Sequence, residues 1–157
     1  MTRIRIMKKT FLVMIFGVLF ISAVSTAQDH GFGLGILVGE PTGISLKTWT
    51  GSRTALDFAI AWSFGRHDAL HLHVDYLFHN FNLFKVEKGD LVLFYGVGGR
   101  VKAVERTRVG VRIPIGISYL FEKDPLEIFF ELGPILDLAP GTDFTMTGGI
   151  GIRYYFD

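Results

Sequence analysis

From about Gly31 to Phe156 the chain alternates with a period of two. Leu56, Phe58, Ile60, Trp62 and Phe64 are bulky and apolar, and Asp57, Ala59, Ala61 and Ser63 between them are small or charged. Successive side chains on a strand point to opposite faces, so such a segment has one broad apolar face and one narrow polar face. Turn signals divide this region into about eight strand-length pieces: Gly31–Gly39, Gly43–Trp49, Thr54–Phe64, Ala69–His79, Leu91–Val104, Arg108–Phe121, Leu126–Leu138 and Phe144–Phe156. Their lengths are close to the roughly 9–11 residues that a tilted strand needs to cross a bilayer. The longest connection runs from Asn80 to Asp90, and its Phe81, Leu83 and Phe84 suggest packing.

The larger face carries Phe32, Leu34, Ile36, Val38, Leu70, Leu72, Val74, Tyr76 and Phe78. It continues with Val109, Val111, Ile113, Ile115, Ile117 and Tyr119, then Ile150, Ile152, Tyr154 and Phe156. No charge falls on it, as insertion into lipid requires, because an isolated charge there costs a few kcal/mol. Tyr and Phe gather near strand ends, where rings favour a membrane interface. The smaller face carries Gly31, Gly33, Gly35, Gly96, Gly98, Gly116, Gly133, Gly149 and Gly151 together with charges. Its basic set is Lys47, Arg100, Arg112 and Arg153, and its acidic set is Asp57, Asp75, Glu131 and Asp137. Backbone groups in lipid must be paired, which demands closure without a free edge. The pattern therefore predicts an all-β fold, an eight-stranded antiparallel up-and-down transmembrane β-barrel. A lumen of that size is filled by side chains, so its charges are expected to pair as a network. A soluble barrel of lipocalin type would reverse the faces, and would have to enclose far more large side chains than eight strands can hold.

The N-terminus changes the charge reading. Arg3, Arg5, Lys8 and Lys9 precede an apolar run of 14 residues, Phe11–Val24, and Ser25-Thr26-Ala27 closes it with small residues. Residues 1–27 thus read as a secretory signal peptide, since the run is short of the roughly 20 residues of a spanning helix. Residues 28–157 form the barrel domain. Four of the 16 basic residues and none of the 15 acidic ones lie in the signal, so the mature chain is net negative and offers nothing toward nucleic acid. Without cysteine there is no disulfide, thiolate metal site or lipid-modified N-terminus.

One spacing suggests chemistry. His71, His73 and Asp75 share a face, with His79 four residues beyond Asp75, and two imidazoles with a carboxylate can hold zinc or another divalent ion. The plainer reading pairs these histidines with lumen carboxylates. Ser45, Ser63 and Ser118 face inward, and His71 or His73 would neighbour Ser63 across the third and fourth strands, a contact that a lipid-modifying enzyme needs. The plainer reading there is small lumen filler. The glycine runs Gly31–Gly35 and Gly96–Gly99 lie within strands and precede no helix, so neither is a phosphate loop.

Several phrases resemble an uncharacterised family of small predicted outer-membrane barrels from Gram-negative bacteria and spirochaetes. They are Gly39–Lys47, Tyr95–Arg100, Arg112–Gly116, Phe130–Pro134 and Gly149–Phe156, spread over essentially the whole mature chain. In architecture the chain is similar to the OmpA and OmpX class. The resemblance implies a fold and a place in the bacterial outer membrane, and no activity. Tyr154 and Phe156 look like the aromatic-ended strand read by the barrel-assembly machinery, with Asp157 following where that pattern stops. The short connections 39–43, 65–68, 105–107 and 139–143 would lie outside the cell and the long one in the periplasm, the reverse of the usual arrangement. Either the strand count differs by one, or the barrel carries little external apparatus, and adhesin or receptor roles lose weight.

The expected function is a structural or envelope-integrity role without catalysis or cofactor. A narrow channel or small-solute or metal-binding barrel is the alternative, and a lipid-modifying enzyme the third reading. The expected partners are outer-membrane lipid and, during biogenesis, the assembly machinery. A monomer is expected.

Overall fold

A computed structural model describes residues 31–64 and 69–156. The expected signal peptide, the turn at 65–68 and Asp157 lie outside the described residues. The described residues form nine antiparallel strands: β1 Phe32–Glu40, β2 Thr42–Trp49, β3 Thr54–Ser63, β4 Ala69–Asn80, β5 Asp90–Ala103, β6 Arg108–Arg112, β7 Ile115–Leu120, β8 Leu126–Ala139 and β9 Asp143–Phe156. No helix among them is long and apolar enough to cross a membrane, which says nothing about crossing by strands.

Strands adjacent in sequence pair, except β6 with β7, which each pair with β5 and β8, and β1 also pairs with β9 from Phe32 opposite Phe156 to Glu40 opposite Gly148. The sheet therefore returns on itself as a ring. Nine strands appear where eight were expected because the sixth is interrupted. Pro114 has no N–H to give to a ladder, and the strand breaks between Arg112 and Ile115. The register survives the break: Gly98 faces Arg112 and Tyr95 faces Ile115, while Ile135 and Leu132 face the same two residues from β8. β6 and β7 thus share one place in the ring. Backbone bonds from Gly96 to the Pro114 carbonyl and from Ile113 to the Pro134 carbonyl hold the interruption in line.

The faces divide as the alternation requires. Ile36, Val38 and Ile150 are 55%, 59% and 58% exposed, although they lie mid-strand. The largest fully buried side chains are Arg100, Arg112, Arg153 and Lys47. Arginine and lysine are almost never fully buried unless paired, so this interior is the reverse of an ordinary soluble core. Leu37, Leu77, Phe94 and Phe129 form a small apolar cluster among these charges, and Trp49, Val92, Ile135 and several alanines are buried as well.

Aromatic rings ride on the outside at the end where β1 begins and β9 ends. Tyr76 meets Phe78, Tyr119 meets Phe121 and Tyr154 meets Phe156 edge-on at 4.8–5.2 Å, and Phe78 stacks on Tyr95 at 5.9 Å. The long connection 81–89 lies at the same end. Of its apolar residues, Phe81 packs toward Trp49 and His79, while Leu83 is exposed.

Small residues inside the ring are set by close approach. A Cβ on Gly35 would collide with the backbone of Ile152 and lie 2.7 Å from Cα of Arg153. A Cβ on Gly133 would lie 2.6 Å from the Arg112 guanidinium. Gly35→Val therefore forces β1 from β9 and is expected to destabilise by about 1–3 kcal/mol, read as a lower urea midpoint of the refolded protein. Gly141, with nothing within 4 Å of its added Cβ, is the control: Gly141→Ala leaves that midpoint in place.

Candidate functional site

The inward positions converge on a lattice of charges arranged in three groups along the ring. At the end where β1 begins and β9 ends, the Lys47 ammonium donates to Glu127 at 2.9 Å. Arg153 donates to Asp57 at 2.7 Å, to Glu127 at 3.3 Å and to the Ser45 hydroxyl at 2.8 Å, and lies 3.7 Å over the Phe129 ring. The Tyr155 hydroxyl donates to Glu127 at 2.5 Å. Lys47 also sits 4.6 Å over the Trp49 ring. Midway along, Arg112 spans Asp75 and Glu131 with its two terminal nitrogens. Toward the far end, one Arg100 nitrogen donates to both Asp137 oxygens at 2.5 and 2.7 Å. There Arg108, partly exposed, pairs with Asp143 at 3.0 Å on the rim.

These contacts tie strands that are not neighbours. Arg153 on β9 reaches Asp57 on β3, and Lys47 on β2 reaches Glu127 on β8, so the charges cross the lumen. An ion pair in a low-dielectric interior holds only where both charges keep partners, and here each buried cation has at least one carboxylate.

At the mouth where β1 begins and β9 ends, a pocket of about 290 Å³ is lined by Trp49, Phe81, Phe121 and Tyr155 among others. Trp49 and Tyr155 set it against the Lys47–Glu127 group, and no histidine is among its lining residues.

The fold resembles that in the crystal structure of the N-terminal β-barrel domain of Pseudomonas aeruginosa OprF, with a TM-score of 0.60. The match covers 81% of this chain and 98% of that one at 13% sequence identity. The likeness is one of fold. No family model matches the sequence, and no curated protein matches it. The expected OmpA-like architecture is thus met at the level of fold, and the sequence resemblance to a barrel family gains no match.

All eight residues expected in the charge network, Lys47, Asp57, Asp75, Arg100, Arg112, Glu131, Asp137 and Arg153, are buried and enter ion pairs. Sequence reasoning missed Glu127, which is fully buried and binds Lys47, Arg153 and Tyr155. Its signal was its parity, four residues before Glu131 on the same strand face. Of the histidine set, His73 lies 3.8 Å from Asp75, and Asp57 joins them from β3. His71 falls outside that group, and both its ring nitrogens are buried without a hydrogen-bond partner. His79 turns to the Arg53 carbonyl at 3.3 Å and packs on Trp49. Among the described residues no serine is hydrogen-bonded to histidine: Ser63 donates to Glu40, Ser45 accepts from Arg153, and the buried Ser118 hydroxyl has no partner.

Truncating Arg153 leaves Asp57 and Glu127 short of a cation, so Arg153→Ala is expected to cost about 3–5 kcal/mol in urea unfolding. Arg108→Ala, on the exposed rim, is expected to cost under about 1 kcal/mol in the same assay.

Proposed function

We propose that this chain is a small integral outer-membrane protein, an eight-stranded transmembrane β-barrel in which β6 and β7 count as one stave. Its role on this reading is structural, in envelope integrity, without catalysis. The observation that carries the proposal is the inversion of faces: the largest fully buried side chains are three arginines and a lysine, while Ile36, Val38 and Ile150 stand exposed. In water such a surface would be a liability, because monomeric proteins rarely expose apolar area on that scale. In a bilayer it is the required solvent face, and a closed ring leaves no strand edge unpaired.

Three further features support the reading. The aromatic rings at the end where β1 begins and β9 ends sit where amphipathic side chains favour the headgroup region. The likeness to the OprF barrel domain is consistent with an outer-membrane fold. The basic, then apolar, then small-residue pattern of residues 1–27 fits export by a signal peptide. The partners that follow are outer-membrane lipid and the assembly machinery that inserts barrels, with the protein acting as a monomer. The cross-lumen ion pairs argue for a rigid plugged strut over a wide pore, because Arg153 and Arg112 each bind two carboxylates and close the section they occupy.

A plugged strut predicts negligible conductance in planar bilayers, and a defect in envelope-stress resistance on deletion. Steady charge-selective conductance that changes on Glu131→Gln would favour the narrow-channel alternative. The lipid-facing assignment makes its own prediction. Ile150→Arg, near the middle of β9, is expected to destabilise the lipid-inserted protein by about 2–4 kcal/mol, and Phe156→Arg at the strand end by about 1 kcal/mol or less. Urea titration of vesicle-inserted protein, followed by the electrophoretic shift between folded and boiled forms, checks both.

A further inference from the structure

Asp57 and Asp75 face each other directly across the β3–β4 ladder, both fully buried. Like charges placed opposite one another on a sheet repel, and the interior around this pair does not balance them. Asp57, Asp75, Glu127 and Glu131 share three cations, Lys47, Arg112 and Arg153. The shortage shows at the atoms. Asp75 gives Oδ2 to Arg112, while its Oδ1 is buried with no hydrogen-bond partner, and Oε2 of Glu131 is in the same state. His73 lies beside the pair, two residues before Asp75 on the same strand face, and its ring makes no hydrogen bond among the described residues.

We propose that Asp57, His73 and Asp75 form a binding site for one divalent transition-metal ion, with zinc as the best match. One donor atom from each residue lies within 4.8 Å of the others, so a single ion between them reaches all three. An imidazole nitrogen with two carboxylate oxygens suits zinc and leaves a fourth position for water. The arginines complete the site by occupancy. Arg153 takes Oδ1 of Asp57, and Arg112 takes Oδ2 of Asp75, the oxygen that also lies 3.8 Å from Nε2 of His73, so the two arginines fix both carboxylates beside the imidazole. Four carboxylates against three side-chain cations leave one negative charge, which a divalent ion offsets with one positive charge over.

The site uses Asp57 where the spacing on β4 alone suggested His71. A straight strand spreads its ligands apart, and the neighbouring strand closes the set. The proposal rests on the ring fold and its register, and holds whatever medium surrounds the outside.

The test is zinc titration of the folded protein, with the metal present both during and after refolding so that entry does not limit binding. Saturation at one equivalent is expected. His73→Gln, which breaks no hydrogen bond, is expected to weaken binding at least tenfold, and His71→Ala to leave it unchanged. X-ray absorption of the bound zinc reads the ligand set independently of any variant: one imidazole nitrogen among oxygen donors supports the site. Absence of saturable binding to the wild-type protein overturns the proposal. So does wild-type affinity in folded His73→Gln, equal loss in His71→Ala, or a zinc spectrum with two imidazoles or none.

Discussion

Arg153 holds Asp57, Glu127 and Ser45 at once, against the face of Phe129, deep inside the ring. The rest of the architecture follows from the need to keep such buried charges compensated. A guanidinium taken out of water is tolerable only with its donors engaged, and its partners come from β2, β3 and β8. Satisfying that demand brings opposite walls of the ring to a fixed separation. Lys47 to Glu127 and Arg112 to Asp75 and Glu131 repeat the constraint at two further points. The lattice thus does the work that an apolar core does in a soluble domain, and it frees the apolar side chains to face outward.

Glycine is the complement of arginine in this design. Gly133 leaves the space that the Arg112 head occupies, and Gly35 lets β1 lie close to β9 beside the Arg153 stem. A lumen ringed by so few strands cannot hold long cations and bulky neighbours together. The alternation of small and charged residues on one face is therefore a packing rule as well as an electrostatic one.

Much of this was legible before the fold was known, because a period of two assigns each residue to a face without reference to anything distant. The inward Lys47, Asp57 and Arg153 and the outward Ile36 and Ile150 follow from parity alone. What parity does not supply is distance across the ring. That Arg153 would meet Asp57, or that Asp57 rather than His71 would join His73, depends on shear and register between strands. The break at Pro114 was hidden for a different reason: the flanking β-branched residues continue the alternation through it, and only the missing N–H betrays it. Glu127 was overlooked although it stands in the expected strand Leu126–Leu138 and its parity matches Glu131.

The central claim is that the apolar face meets lipid and the charged face meets only itself. The chain has no cysteine, so single cysteines introduced along β3 at Leu56, Phe58, Ile60 and, on the other face, at Ala55, Ala59 and Ala61 report each face separately. Spin labels at these positions, in protein inserted in vesicles, would be challenged with oxygen, which concentrates in the bilayer, and with a water-soluble nickel chelate. The account predicts strong relaxation by oxygen at Leu56, Phe58 and Ile60, and little effect of either reagent at the alanines. Relaxation of the Leu56, Phe58 and Ile60 labels by the nickel chelate, with no preference for oxygen, would contradict it.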